Sequence, residues 1–229
     1  MNGIMYSLYH TFNWITGYEE KNPTAKAIEW RLIVLESVAG VPGFLAAAVR
    51  HFQSLTLLKR DHGWIATLLE EAENERMHLI VCLTMFKAGR VTRFLVVSAQ
   101  TILTPSLLLL YIVHPKAVHR FVGYLEETAC HTYVNVIKKI GEPGTHLNRE
   151  WSELMSPPLA NAYWKLKDGS KWVDTLSCMM ADESHHRDVN HTFAMMDSDD
   201  PNPFLLQHKE WAVAAWRKDS NSYKADVQE

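Results

Sequence analysis

The order in which carboxylates and histidines recur constrains this chain more than any other feature. Glu36 comes first, then Glu75 and His78 as E-x-x-H, then Glu126, then Glu183 and His186 as a second E-x-x-H. One half-site, Glu…Glu-x-x-His, is thus stated twice. Residues three apart on a helix share a face, so each E-x-x-H can aim a carboxylate and an imidazole at one point. Four helices carrying E, ExxH, E and ExxH supply the ligands of a dinuclear iron or manganese site inside a ferritin-like bundle. The expected fold is all-α: a ferritin-like antiparallel four-helix bundle around a two-metal centre, with extra helices at a membrane surface.

A single E-x-x-H is weak, since chance supplies roughly one at this composition. The weight lies in the alternating order and in what flanks the lone glutamates. Glu36 sits in LIVLESVA, where an unpaired carboxylate is costly to bury. A metal ion compensates for that cost; the plain alternative is an arginine partner such as Arg31. Glu126 has Gly123, Ala129 and Tyr133 on its own face; the two small residues leave room for ions, and Tyr133 would stand two turns from the carboxylate. Glu127 points about 100° away, towards solvent or a hydrogen bond. Glu71 shares a face with Glu75 and is a rival ligand, but Glu75 has His78 at plus three. His185 lies about 200° round from Glu183, while His186 returns to the same side. His51, His62, His191 and His208 read as structural or surface histidines. A ligating imidazole needs an acceptor for its outer N–H, and Asn74, His119 and Asp182 are the candidates.

The rest of the chain fits one domain. It has 229 residues, 47% hydrophobic and 21% charged, with a net charge of −3, so no electrostatic case for nucleic acid exists. Cys82, Cys130 and Cys178 match neither a zinc spacing nor a disulfide framework and suit a reducing compartment. Residues 1–23 read as an irregular arm, 24–196 as the metal-binding bundle, and 197–229 as a linker, a short helix over Phe204–Trp216 and a tail. Helices are expected from about Thr24 into the 50s, with Val41-Pro42-Gly43 as the place for a bend. Others follow over Arg60–Lys87, Thr92–Val113, from His114-Pro115 to Ile140, and over Lys171–Met196. Residues 145–158 read as irregular, and a short segment spans Leu159–Leu166.

Phe94–Val113 is 20 residues without a formal charge, long enough to span a bilayer. It also connects the Glu75/His78 helix to the Glu126 helix. One crossing would put those two helices on opposite sides of the membrane, and the four ligand helices could not converge. The reading is therefore an interfacial helix lying in one leaflet; the alternative is a buried core helix. An exposed apolar helix pair also points to a homodimer.

The strings LESVAGVPGF at 35–44, RDHGWIATLLEEAENERMHL at 60–79, HRFVGYLEETACHTY at 119–133 and ADESHHRDVNHTFA at 181–194 resemble the alternative oxidases. The LEET form of the third string resembles the trypanosomal branch. The resemblance implies a cyanide-insensitive ubiquinol oxidase on the matrix face of the mitochondrial inner membrane. Such an enzyme passes electrons from ubiquinol to O2 and makes water without pumping protons. It implies two non-haem iron ions, with a hydroxo bridge as an option, held by Glu36, Glu75, His78, Glu126, Glu183 and His186. It implies Tyr133 as a redox-active tyrosine, and Arg31, Leu35, Ala129 and Thr132 as the lining of a quinol pocket. Asn74, His119, Tyr163, Trp164 and Asp182 match the residues hydrogen bonded behind the ligands. ADES replaces the commoner ADEA at Ser184, expected to face outward. The plant family's regulatory N-terminal cysteine has no counterpart, and an import signal is expected to be missing from this short N-terminus. Two other readings share parts of this pattern: a di-iron hydroxylase of a quinone precursor, and a ferritin-type iron-storage protein.

Overall fold

In the computed structural model, residues 3–205 are described. Their helices are α1 (Gly3–Thr16), α2 (Ala25–Leu57), α3 (Trp64–Met85), α4 (Arg90–Val113), α5 (Pro115–Gly141), α6 (His146–Trp151), α7 (Pro158–Trp164) and α8 (Trp172–Phe193). The only β pairing among these residues is an isolated Met155–Lys171 bridge. The protein is all-α, as its spacing predicts. The short helix expected over Phe204–Trp216 lies almost wholly outside the described residues.

Local chemistry sets several of the boundaries. The Thr24 hydroxyl accepts from the Ala27 amide at 3.3 Å and caps α2, satisfying one of the orphan donors of a first turn. Leu58 closes α2 in the left-handed region, at φ 52°. Pro115 opens α5 at a position that needs no N–H. Two expectations change. The arm read as irregular carries α1, tied inward by Asn13 and Thr16, and the 145–158 segment carries α6, capped by Thr145 at 3.0 Å. Both short helices lack a long apolar repeat, so periodicity gave little sign of them.

Four long helices, α2, α3, α5 and α8, build the bundle. The partners of α2 on α3 run in opposite order, Gly40 over Ala72 and Gly43 over Leu68, so the pair is antiparallel. The α5–α8 pair is antiparallel too, with Glu127 on His191, Cys130 on Ser184 and Tyr133 on Met179. Helix α2 runs unbroken through Pro42. A Cβ on Gly40 would sit 3.1 Å from the Ala72 carbonyl oxygen, and one on Gly43 would sit 3.0 Å from that of Leu68. These two glycines let the α2 and α3 backbones touch.

The core is two apolar clusters with a polar layer between them. One holds Ile28, Leu32, Ile33, Val81, Tyr133, Leu176 and Met179; the other holds Leu45, Trp64, Leu68, Val122, Val189 and Phe193. On each bundle helix the sequence passes from one cluster to the other through the predicted ligands. Apolar plugs therefore seal the site from both ends, which keeps the local dielectric low.

Helix α4 lies along the outside of α2. Trp30 bonds Thr92, Gln100 bonds the Ser37 carbonyl, and Tyr111 reaches the Arg50 guanidinium. The contacts advance together on both helices, so α4 runs parallel to α2 over most of its length. Its buried residues are Thr92, Leu107 and Tyr111, whereas Phe94, Ile102 and Val113 are 70%, 70% and 74% exposed. A core helix would not show this, so the core-helix alternative for 94–113 fails.

Candidate metal centre

Each predicted ligand is buried: Glu36 on α2, Glu75 and His78 on α3, Glu126 on α5, Glu183 and His186 on α8. The His78 Nδ1 atom lies 3.4 Å from Glu36 Oε2, 3.3 Å from Glu183 Oε1 and 3.9 Å from Glu75 Oε2. One ligand atom each from Glu36, Glu75, His78 and Glu183 lie within 4.8 Å of one another. The His186 Nδ1 atom lies 2.6 Å from Glu75 Oε1 and 3.9 Å from Glu183 Oε2. Glu126 meets Glu183 carboxyl to carboxyl. The six side chains thus converge from four helices, as the spacing requires.

Their polar atoms fit a metal cluster. Glu36 Oε2, both Glu75 oxygens, His78 Nδ1 and His186 Nδ1 are buried without a hydrogen-bond partner. Orphaned buried polar atoms are rare because each costs desolvation energy without return. Here they are carboxylate oxygens and imidazole nitrogens aimed at one place, and that donor set suits iron or manganese. Burial is the main cause that pushes Glu75 and Glu126 well above the usual carboxylate range, with neighbouring glutamates adding to it. Burial and Glu75 push Glu183 up to about 8. Burial opposes charge on His78, yet its contacts with Asp182, Glu183 and Glu36 raise it well above the ordinary histidine value.

Behind His78 stands a network. Asp182 Oδ2 takes the His78 Nε2 bond at 3.1 Å, the Trp164 indole N–H at 2.9 Å and the Asn74 amide at 3.0 Å. Asn74 also donates to the Tyr163 hydroxyl at 3.0 Å. Four of the five residues expected behind the ligands therefore form one unit. His119 stands apart from it. Its Nδ1 faces Asn190 Oδ1 at 2.9 Å, its Nε2 faces the Tyr111 hydroxyl at 3.3 Å, and burial depresses its pKa to about 4. Asn190 in turn donates to both oxygens of the rival ligand Glu71, at 3.0 and 2.9 Å. Sequence spacing did not single out Asn190, which is two turns beyond Glu183.

Tyr133 donates to Glu36 Oε1 at 2.8 Å, with the Met179 sulfur 3.9 Å away. Burial, then Glu36 and Glu183, push its phenol well above the ordinary value. Arg31 is not the partner of Glu36. It bonds Asn13 at 2.7 Å, Thr16 at 3.3 Å and Thr132 at 3.4 Å, with the rings of Phe12 and Tyr18 each 4.6 Å from its guanidinium carbon. Leu35 and Ala129 are half-buried. A cavity of about 690 Å3 between α2, α3 and α4 has Glu36, Gly40, Phe44, Ala72 and Gln100 among its walls and includes none of Arg31, Leu35, Ala129 and Thr132.

Two further readings change. Gly123 does not leave room for ions, because a Cβ there would meet His191 Nδ1 at 2.7 Å. The space belongs to the His191 ring, which also contacts Glu127 at 3.0 Å. Ser184 does not face outward: it is half-buried between α5 and α8, 3.5 Å from the Cys130 sulfur. All three cysteines are free.

The alternative oxidase family model matches residues 2–195. The chain belongs to the alternative oxidase family. It is 47% identical over 187 residues to "Alternative oxidase, mitochondrial" of Blumeria graminis, covering 80% of this chain and 51% of that protein. The Neurospora crassa protein of the same name is 46% identical over 184 residues, 79% of this chain and 50% of that one. That of Cryptococcus neoformans is 47% identical over 178 residues, 77% and 44%. The chain spans about half the length of the curated relatives it matches. All six predicted ligand residues of this alternative oxidase chain, Glu36 to His186, nonetheless lie within the matched region.

Proposed function

We propose that the chain is the catalytic part of a ubiquinol:oxygen oxidoreductase that reduces O2 to water. Two non-haem irons, a hydroxo bridge between them among the options, would be held by Glu36, Glu75, His78, Glu126, Glu183 and His186. The observation that carries the proposal is the buried convergence of these side chains with five unpartnered polar atoms among them. When bound, the irons supply the redox chemistry that a set of carboxylates and imidazoles cannot perform alone.

The residues around the centre have separable tasks. Asp182, Asn74, Tyr163 and Trp164 hold His78 in orientation. Tyr133, hydrogen bonded to Glu36, is placed to give up a proton and an electron beside the metals. The apolar clusters at both ends of the bundle exclude water from the reaction. Arg31 and Thr132, with Leu35 and Ala129 near them, would receive the quinol head. Arg31 suits a quinol oxygen because it is a buried cation whose hydrogen-bond partners are all uncharged. His119 supports the opposite side of the centre through Asn190.

Helix α4 would rest in one leaflet, its exposed Phe94, Val97, Ile102 and Leu109 in lipid. Its parallel packing along α2, which carries Glu36, supports a helix that stays with the bundle on one side. This supports a monotopic protein; the relatives are named mitochondrial, and the proposed place is the matrix side of the inner membrane, with the protein acting as a homodimer. The lipid-facing helix disfavours a soluble ferritin-type cage. Quinol-dependent O2 uptake in the presence of cyanide, with iron counted per chain, tests the proposal. An oxygenated organic product would point to the hydroxylase instead.

A further inference from the structure

The two E-x-x-H motifs are alike in sequence and unlike in their support. His78 presents Nδ1 to the carboxylates and anchors Nε2 on Asp182 at 3.1 Å. Asp182 is itself fixed by Trp164 and Asn74. His186 also presents Nδ1 to the cluster, 2.6 Å from Glu75 Oε1. Its Nε2, however, meets no hydrogen-bond acceptor among the described residues.

A buried carboxylate interacts with this histidine. Glu71 is fully buried and near enough for His186 to favour its ionised form. Yet both Glu71 oxygens are held by the Asn190 amide, at 3.0 and 2.9 Å. Asn190 Nδ2 also reaches the His186 backbone oxygen at 3.0 Å, and Asn190 Oδ1 faces His119 at 2.9 Å. The amide is thus fixed from three sides, and Glu71 is held by Asn190 rather than hydrogen bonded to His186 as Asp182 is to His78. The four-residue group whose ligand atoms lie within 4.8 Å of one another, Glu36, Glu75, His78 and Glu183, contains His78 and not His186.

An outer acceptor fixes the tautomer and orientation of a ligating imidazole and raises its basicity. Removing such a partner typically costs about 10–100-fold in metal affinity. We infer that the two halves of the centre are unequal: the His78 half is the tight position, the His186 half is the labile one, and the Asn190–Glu71 contact sets the difference. Asp182 and Asn190 are positioning residues on this account. The inference rests on the proposed two-iron centre, and it requires nothing about the quinol.

The test is iron release from the intact, reduced holoprotein under argon, with the chelator ferrozine as the probe. Two phases of one iron each are expected, the slow one at least about tenfold slower. Asp182→Asn keeps the shape and removes the anion; it should speed the slow phase about tenfold or more and leave the fast phase alone. Trp164→Phe, which keeps the Asp182 charge, should change the slow phase far less. Asn190→Ala releases Glu71 and should slow the fast phase. Single-phase release of both irons from the unaltered protein would overturn the inference, even if every variant failed to fold. So would an Asp182→Asn effect confined to the fast phase. A protein with two unequal irons and no quinol oxidation would refute the proposed function and leave the inequality standing. Equal irons in an active quinol oxidase would do the reverse.

Discussion

Replacing Gly40 with alanine sets two effects of known size against each other. In a helix interior, Gly→Ala gains about 1 kcal/mol of intrinsic propensity. The new Cβ would lie 3.1 Å from the Ala72 carbonyl oxygen and 3.3 Å from Glu75 Cβ. Neither obstacle is the flexible end of a side chain, so the α2 and α3 backbones must separate by a few tenths of an ångström. Overpacking of this kind costs about 1–3 kcal/mol. The net expectation is a loss of about 0–2 kcal/mol. Each 1 kcal/mol is about 2–4 °C in Tm for a chain of this size. The displaced atom belongs to Glu75, which lies between His78 and His186, so iron retention should fall with stability. The assay is thermal melting together with iron per chain, with Gly141→Ala as the companion. A Cβ on Gly141, the last residue of α5, has nothing within 4 Å, so that variant should melt at or above the parent. If Gly40→Ala also melted higher and kept its iron, the close-approach argument would be refuted.

Other outcomes follow from the same contacts. Tyr133→Phe should keep both irons and lose most oxidase turnover; full turnover would remove the tyrosine from the mechanism. Arg50 bonds Asp61 at 2.7 Å and the Ser198 carbonyl at 3.0 Å, and its guanidinium carbon lies 4.3 Å from the Trp64 ring. Arg50→Met leaves Asp61 unpaired and should cost about 3 kcal/mol in a denaturant titration; a loss below 1 kcal/mol would count against it. In metal-free protein, Glu183 binds its proton up to about pH 8 when folded and releases it near 4.5 when unfolded. Its contribution is present at low pH and lost as pH rises through about 8. The Glu183 contribution to metal-free stability should therefore fall as pH rises from about 4.5 to 8 and level off above that, and iron uptake at pH 7 should release protons, which an indicator dye would register. His119 acts in a lower window with the opposite slope: folded about 4, unfolded 6.5. Below pH 6.5 the unfolded chain gains the proton first, so stability drops as pH falls towards 4, and His119→Gln should flatten that limb.

Helical period made much of this legible. Face membership placed Glu126 over Glu127 and His186 over His185, while Glu75 was preferred to Glu71, on the same face, for its His78 at plus three. The topology of the same pattern also argued that α4 stays on one side of a membrane. What spacing could not carry were contacts between helices. Gly123 reads as room for ions until His191 arrives from α8 to fill it. Ser184 reads as outward until α5 brings Cys130 against it. Arg31 reads as a partner for Glu36 until α1, with no apolar repeat to announce it, supplies Asn13 and Thr16. The inequality of the two histidines is of the same kind, since it turns on contacts between helices: Asp182 of α8 against His78 of α3, and Asn190 of α8 against Glu71 of α3.

The central claim is a two-iron site that passes electrons from quinol to O2, and one measurement addresses it most directly. Full-length protein in lipid vesicles is given a ubiquinol in the presence of cyanide, while O2 uptake and iron per chain are recorded. The account predicts cyanide-insensitive uptake, water and quinone as the products, two irons per chain, and loss of both iron and uptake in Glu183→Ala. Uptake that persists at full rate in Glu183→Ala, or two bound irons with no quinol-dependent uptake, would contradict it.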